Sequence, residues 1–466
     1  MKVLFCSSEV APYAKTGGLA DVAGSLPVAL KEIGIDIRIV MPKYKCVNIE
    51  GDRDLLQGKV WVYFVDNKEY FHRDYLYSTP EGDYSDNLDR FVYYCKSVLE
   101  ISKREGFSPD IIHCNDWQTA LIPVYIKSIY SQDEFFKNTR TIFTIHNIAY
   151  QGLFPSEEWE KTSLPGELFS IQGLEYYGKI NLMKGAILFS DYITTVSPTY
   201  SKEIQTPEYG FGMEGILKGR SDRLAGIING IDYSVWNPAE DKEIPQNYDI
   251  KTIDKKVINK QYLQTEYEME IGRDIPLIGA IGRLTDQKGW DLIAEVIDEI
   301  CQLDLQLIIL GTGEKKYHQL MEEIATKYPR NTSINLKFDP ILAKKIYAGC
   351  DLFLMPSKFE PCGLGQLISY RYGTLPIARQ IGGLADTIID LTQNPKNGTG
   401  FLFREYSGRA LVEAITRAIN FYRNRKGWRN VMKKVMKLDY SWKNSARQYL
   451  HLYKEIKNLP TALNVR

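Results

Sequence analysis

Short apolar runs alternate with longer helix-patterned stretches along almost the whole chain, and this alternation leaves few folds open. In the first half the runs are KVLFC, IDIRIVM, KVWVYFV, DIIHC, TIFTI and DYITTVS; in the second they are PLIGAIG, LQLIIL, INLKF, DLFLM and TLPIA. Continuous apolar runs of this length suit strands covered on both faces, as in parallel sheets. The stretches between them, such as ADVAGSLPVALKEIG and GWDLIAEVIDEICQL, carry helical spacing and end at a glycine or another break. Strand–helix alternation predicts doubly wound α/β sheets. At 466 residues the chain exceeds one ordinary core, so two such domains are expected. The polar stretch WNPAEDKEIPQNYDIKTIDKK, residues 236–256, breaks the pattern and is the linker candidate.

Composition narrows the partners. Fifty-eight basic residues balance 58 acidic ones, which argues against a nucleic-acid partner, since such binders concentrate a basic excess. The N-terminal MKVLFCSSEVAPYAK reads as a first strand, and no apolar stretch approaches the roughly 20 residues of a membrane span. The seven cysteines are scattered without a C-x-x-C pair, so reduced thiols and a cytoplasmic setting are expected. The sequons at Asn331 and Asn397 are then coincidental. Five histidines without ligand spacing predict no metal, and no cofactor is expected.

The pentapeptide GGLAD occurs twice, at 17–21 and 382–386, each time between an apolar run and a helix-like stretch. For the first copy, KTGG admits two readings. Gly17 and Gly18 can serve a tight turn at positive φ, or their amides can meet an anion at a helix start, beside Lys15. GRLTDQKGWDL sets Arg283 and Lys288 around a loop that opens a helix. Two cations there oppose the helix dipole, and a bound phosphate would resolve the conflict; a solvated loop is the plainer reading. PSKFEPCGLGQL places Glu360 before a turn into another helix. That acid suits either the helix start or the hydroxyls of a sugar, and no His/Asn pattern supports Cys362 as a nucleophile. TIHN and HCNDW put His146, Asn147, Asp116 and Trp117 at strand ends, where α/β active sites lie.

Taken in order, KTGGLADV, HNIAYQG, TTVSPTYSKEI, GIINGIDYSVWNP, GRLTDQKGWDL and PSKFEPCGLGQL resemble the ADP-glucose-dependent bacterial glycogen synthases and plant starch synthases, from residue 1 to about 445. The resemblance implies a GT-B fold. An N-terminal Rossmann-like domain (1–238) would serve the glucan acceptor and a C-terminal one (239–440) the donor, across a cleft, with a helix (441–466) crossing back. It places Lys15, Gly17, Gly18 and Asp21 at the nucleotide diphosphate. It implies the same donor site for the second glycine loop, Gly382, Gly383 and Thr387, and for Asn229. Arg283 and Lys288 would stabilise the departing diphosphate, and Glu360 would hold glucose hydroxyls beside the amides of Cys362, Gly363 and Leu364. Tyr347 would pack near the adenine and His146 near the reacting carbon, while Glu9, Tyr77, Asp116 and Trp117 would line the glucan path. Two departures stand out: Ile368 occupies the second position of the Glu–seven residues–Glu pattern, with Gln366 the nearest polar substitute, and Asn115 stands where some relatives carry histidine.

The implied reaction moves α-glucose from ADP-glucose to the non-reducing 4-OH of an α-1,4-glucan with retention. The resemblance offers no second carboxylate for a covalent intermediate, so a front-face reaction is expected. The implied setting is the cytoplasm, or the plastid stroma for a plant-type enzyme. A sucrose-synthase-like or UDP-glucose-dependent GT-B enzyme shares the Arg/Lys/Glu set, and a glucan-binding protein without catalysis is the other alternative.

Overall fold

The structure, a computed structural model, describes residues 1–79 and 81–459. It divides into two compact units, Met1–Gly230 with the segment from Trp442 onward, and Ile231–Ser441. Among the described residues no helix is long and apolar enough to cross a membrane.

The first unit is built on an eight-stranded sheet. Its order is Leu224–Gly226, Tyr192–Thr195, Arg140–Ile145, Ile111–Asn115, Lys2–Cys6, Asp36–Pro42, Val60–Val65 and Arg53–Leu56. All neighbours are parallel except the last pair, where Arg53–Leu56 returns antiparallel along the edge. Val3 is paired with Ile37 on one side and Ile111 on the other, so the first strand lies at the centre. Its residues Val3 to Cys6 are fully enclosed, as the unbroken apolar run requires. The helix Gly18–Glu32 packs against the C-terminal helix Trp442–Lys457, which belongs to this unit. Tyr453 of that helix bonds His113 Nδ1 at 2.7 Å, and His113 Nε2 meets Thr144 Oγ1 at 2.6 Å.

The second unit has a six-stranded, wholly parallel sheet. The order is Thr332–Asn335, Gln306–Leu310, Leu277–Ile281, Leu352–Met355, Leu375–Arg379 and Phe401–Phe403. Each unit is therefore a doubly wound α/β domain, as the alternation predicts. The stretch 236–256 is bound tightly to the second unit. Asp241 is buried and accepts bonds from Tyr372 Oη at 2.5 Å and Lys344 Nζ at 3.1 Å. Tyr248 donates to the Tyr372 carbonyl at 2.8 Å. Polarity and prolines mark it as irregular in sequence, and its side chains anchor it all the same.

Candidate active site

In the second unit the strand order reverses beside Leu277–Ile281. The next two strands in the chain lie on one side of it and the remaining three on the other. A crevice at such a switch point opens beyond the carboxyl ends of the central strands. The loops leaving those ends, 282–289 and 356–364, are tied together. Lys358 N donates to Gln287 O at 2.8 Å and Gln287 Nε2 to Phe359 O at 3.3 Å. Gly289 permits the approach: its φ is +75°, and a β-carbon there would meet Pro356 O at 2.0 Å. Lys288 Nζ consequently donates to Glu360 Oε2 at 2.7 Å, and Ser357 Oγ donates to the same oxygen at 2.9 Å. Glu360 is only 5% exposed, so its carboxylate and the lysine act at low dielectric. Arg283 is exposed, in no ion pair among the described residues, and its carbonyl is fixed by Trp290 Nε1 at 2.8 Å.

The turn after Glu360 is braced from below. Gly363 has φ +73°, and a β-carbon there would strike Gln366 Oε1 at 2.5 Å. The fully buried Gln366 shares its Nε2 hydrogens among Cys362 O, Gly363 O and Thr387 Oγ1, at 3.0, 2.9 and 3.2 Å. Gly383 presses on the same turn. Its amide donates to Glu360 O at 3.1 Å and Pro361 O at 3.2 Å, and a β-carbon would meet Cys362 O at 2.0 Å.

In the first unit the switch point lies between Lys2–Cys6 and Ile111–Asn115. Glu9, buried in the loop after the first strand, uses both oxygens. Oε2 accepts from Thr16 N at 2.5 Å and Gly17 N at 3.1 Å; Oε1 accepts from Thr16 Oγ1 at 2.6 Å and Tyr77 Oη at 2.9 Å. The segment carrying Tyr77 is held by fully buried Arg90, which donates to Leu76 O at 2.8 Å, and by Asn87 Nδ2, which donates to Tyr77 O at 3.0 Å. Lys15 pairs with Asp21 at 2.6 Å, both partly exposed. Beyond the neighbouring strand, Asp116 sits at φ +55°, a strained position for a residue with a β-carbon, and its Oδ1 accepts from His146 N at 2.8 Å. Burial, partly offset by that amide and reinforced by the Glu9 charge, pushes the Asp116 carboxyl up to about 7. Trp117 stands edge-on to Phe91 at 4.9 Å, and a β-carbon at Gly152 would strike its ring at 2.7 Å.

Asn115 sets the tautomer of His146. Its Nδ2 donates to Cys6 O at 2.9 Å, which turns Oδ1 toward His146 Nε2, also at 2.9 Å. An amide oxygen only accepts, so Nε2 carries the proton and Nδ1 the lone pair. Burial lowers His146 to about 3 and keeps the ring neutral.

Residues 2–219 match the family model described as the starch synthase catalytic domain, and residues 268–435 the one described as glycosyl transferases group 1. The chain is 50% identical to glycogen synthase 2 of Geobacter sulfurreducens, over 97% of this chain and 98% of that protein. It is 48% identical, with the same coverage, to the glycogen synthase of Geotalea daltonii. The chain belongs to the glycogen and starch synthase family. The catalytic domain of starch synthase IV from Arabidopsis thaliana, solved with ADP and acarbose, matches with a TM-score of 0.90 at 33% identity, over 98% of this chain and 99% of that one. Sucrose-phosphate synthase of Thermosynechococcus elongatus, at TM-score 0.64 and 15% identity over 98% of each chain, shares the fold alone. The two α/β units are thus those of a GT-B glycosyltransferase.

Several residues expected at the donor site of such a synthase make contacts within their own unit. Tyr347 is 5% exposed near the end of the helix Pro340–Gly349, its ring enclosed by Trp236, Phe353 and Tyr372. Phe338 follows the strand Thr332–Asn335 on its carboxyl side and is 81% exposed. Gly17 is extended at φ −150°, so no left-handed turn requires it, and its amide belongs to Glu9. The Gly383 amide is likewise used internally, and the buried Thr387 hydroxyl donates to Gly383 O at 2.6 Å. The two GGLAD copies share their place, at a helix start after a strand, while their glycines do different work. Gly382 has φ +45°, and Gly18 begins the helix Gly18–Glu32. Asn229 is buried with its Oδ1 unbonded, and Leu364 precedes the helix Gly365–Arg371. Gln366, the nearest polar substitute in the Glu–seven residues–Glu pattern, braces the Cys362–Gly363 turn.

Proposed function

We propose that this synthase transfers α-glucose from ADP-glucose to the non-reducing 4-OH of an α-1,4-glucan with retention. The observation that carries the proposal is the Lys288–Glu360 pair beside unpaired Arg283 at the switch point of the second unit. A diphosphate leaving group needs fixed cations where its charge develops, and Arg283 and Lys288 supply them. When the diphosphate draws the Lys288 ammonium, Glu360 is released to accept glucose hydroxyls; both of its present side-chain bonds fall on Oε2. Phe338 takes the stacking role against the adenine, a planar apolar surface meeting a planar base. The turn Cys362–Leu364 contributes backbone, and Lys15 and Asp21 join at the phosphate side. In the first unit, Glu9, Tyr77, Asp116 and Trp117 receive the glucan, and neutral His146 stands at the reacting carbon. The leaving phosphate oxygen takes the acceptor proton, so no protein base has to titrate.

Support for ADP as the nucleotide comes from the starch synthase IV relative, whose structure holds ADP with acarbose. The test is incubation with glycogen and labelled ADP-glucose or UDP-glucose in parallel. Label entering an α-1,4-linked polymer faster from ADP-glucose is the expected result. Preference for UDP-glucose would move the chain to another donor class, and binding of glucan without incorporation would leave a glucan-binding protein.

A further inference from the structure

The second unit carries a cavity of about 320 Å³ that the proposed transfer does not use. Among its lining residues, Asp351 immediately precedes the strand Leu352–Met355 and Arg273 lies shortly before Leu277–Ile281. The cavity therefore opens at the amino ends of the strands, opposite the end that bears Arg283, Lys288 and Glu360. Six cations line it, Lys256, Lys260, Arg273, Arg425, Lys426 and Arg429, against two carboxylates, Asp254 and Asp351. Lys260 pairs with Asp351 at 2.7 Å, Arg429 with Asp254 at 2.5 Å, and Arg425 with Asp274 outside the cavity. Cations thus outnumber carboxylates around the cavity, and Lys256, Arg273 and Lys426 are in no ion pair among the described residues.

Lys256 is the telling member. It is 4% exposed, and its Nζ donates to Tyr347 O, Ala348 O and Thr374 Oγ1 at 3.1, 2.6 and 2.9 Å. Its hydrogen bonds are complete, and burial lowers its pKa to about 7 in spite of the nearby Asp351 carboxylate, so an anion bound in the cavity would favour its charged form. Arg273 and Lys426 are exposed and add two more charges at the opening. The apolar lining from Ile253, Val257 and Met432 suits a carbon skeleton, and the volume matches a small-molecule site. We infer that this cavity binds a small phosphomonoester, its dianion held by Arg273 and Lys426 with Lys256 beneath. Guanidinium and ammonium together are the usual partners of a phosphate dianion.

The test is calorimetry on the intact protein kept saturated with ADP, titrated with glucose 1-phosphate, inorganic phosphate or glucose. Glucose 1-phosphate should bind once per chain, inorganic phosphate about tenfold more weakly, and glucose not at all. In an Arg273→Ala/Lys426→Ala double variant the glucose 1-phosphate affinity should fall at least tenfold with the thermal midpoint unchanged, while Lys288→Ala should leave it intact. Three results would overturn the inference: no binding of either phosphate, equal affinity in the double variant, or loss of binding in Lys288→Ala, which would put the phosphate at the other end of the sheet.

Discussion

At the scale of single residues, Asn115 acts through a neighbour: it decides which nitrogen of His146 is protonated. Asn115→Asp would set a carboxylate against Nε2 and favour the imidazolium, raising the His146 pKa from about 3 toward neutrality. Imidazole nitrogen NMR should show wild-type His146 as one neutral tautomer from pH 5 to 8 and the variant titrating within that range. Unchanged spectra would remove Asn115 from this role. Lys288→Ala should lower turnover about 100-fold, since one preorganised contact to developing charge is worth roughly 3 kcal/mol. It should also lower the melting temperature, because Glu360 would be left buried without its cation. Phe338→Ala should weaken ADP binding about tenfold at unchanged stability, whereas Tyr347→Ala should cost roughly 3–5 kcal/mol of stability. Calorimetry beside thermal melts separates the two. In the sequence INLKF looks like one buried strand, yet the strand ends at Asn335 and Phe338, proposed for the adenine, falls into the loop beyond. Arg283 and Lys288 stand out in the sequence because cations at a helix start conflict with the dipole and ask for an anion, which is the basis of the donor role proposed for them.

Among the elements, long strands were legible and short ones were not. Unbroken apolar runs announce the central strands, while Leu224–Gly226 and Phe401–Phe403 are too brief to carry a pattern of their own. The edge strand Arg53–Leu56 is masked by its polar residues, as edges often are. Glycine function was the least legible, because a β-carbon clash depends on what the tertiary fold brings near. Gly289 and Gly383 are required by such close approaches, whereas Gly17 meets nothing within 4 Å. The hairpin joining Glu175–Tyr176 to Lys179–Asn181 shows an element out of step with its sequence. Tyr177 occupies a left-handed turn position at φ +49° with its side chain 87% exposed. Tyr177→Asn should therefore raise stability by about 1 kcal/mol, read from denaturant midpoints, since asparagine tolerates that conformation.

At the scale of the whole molecule, His113, His146 and Asp116 make stability depend on pH. His113 and His146 are held near 3, below the ordinary 6.5, so their contribution is present above about 6.5 and is lost as pH falls toward 3. Asp116, raised from 3.8 to about 7, works oppositely: its contribution is full below its unfolded pKa and is lost as pH rises through 7. Between pH 4.5 and 6 the histidines bind about two more protons on unfolding and Asp116 about one fewer. Asp116→Asn should accordingly steepen the rise of stability with pH by about one proton, measured as denaturation midpoints across that range; an unchanged slope would place the carboxyl pKa near its ordinary value. The residues proposed for transfer are divided between the two units, so catalysis should fail in residues 240–440 alone even where ADP still binds. Proton NMR of the full chain with ADP-glucose and maltotriose tests the transfer most directly. A new α-anomeric 1,4-linkage signal growing in step with released ADP is the predicted result. A β-linkage, or free glucose appearing in place of extended chains, would contradict it.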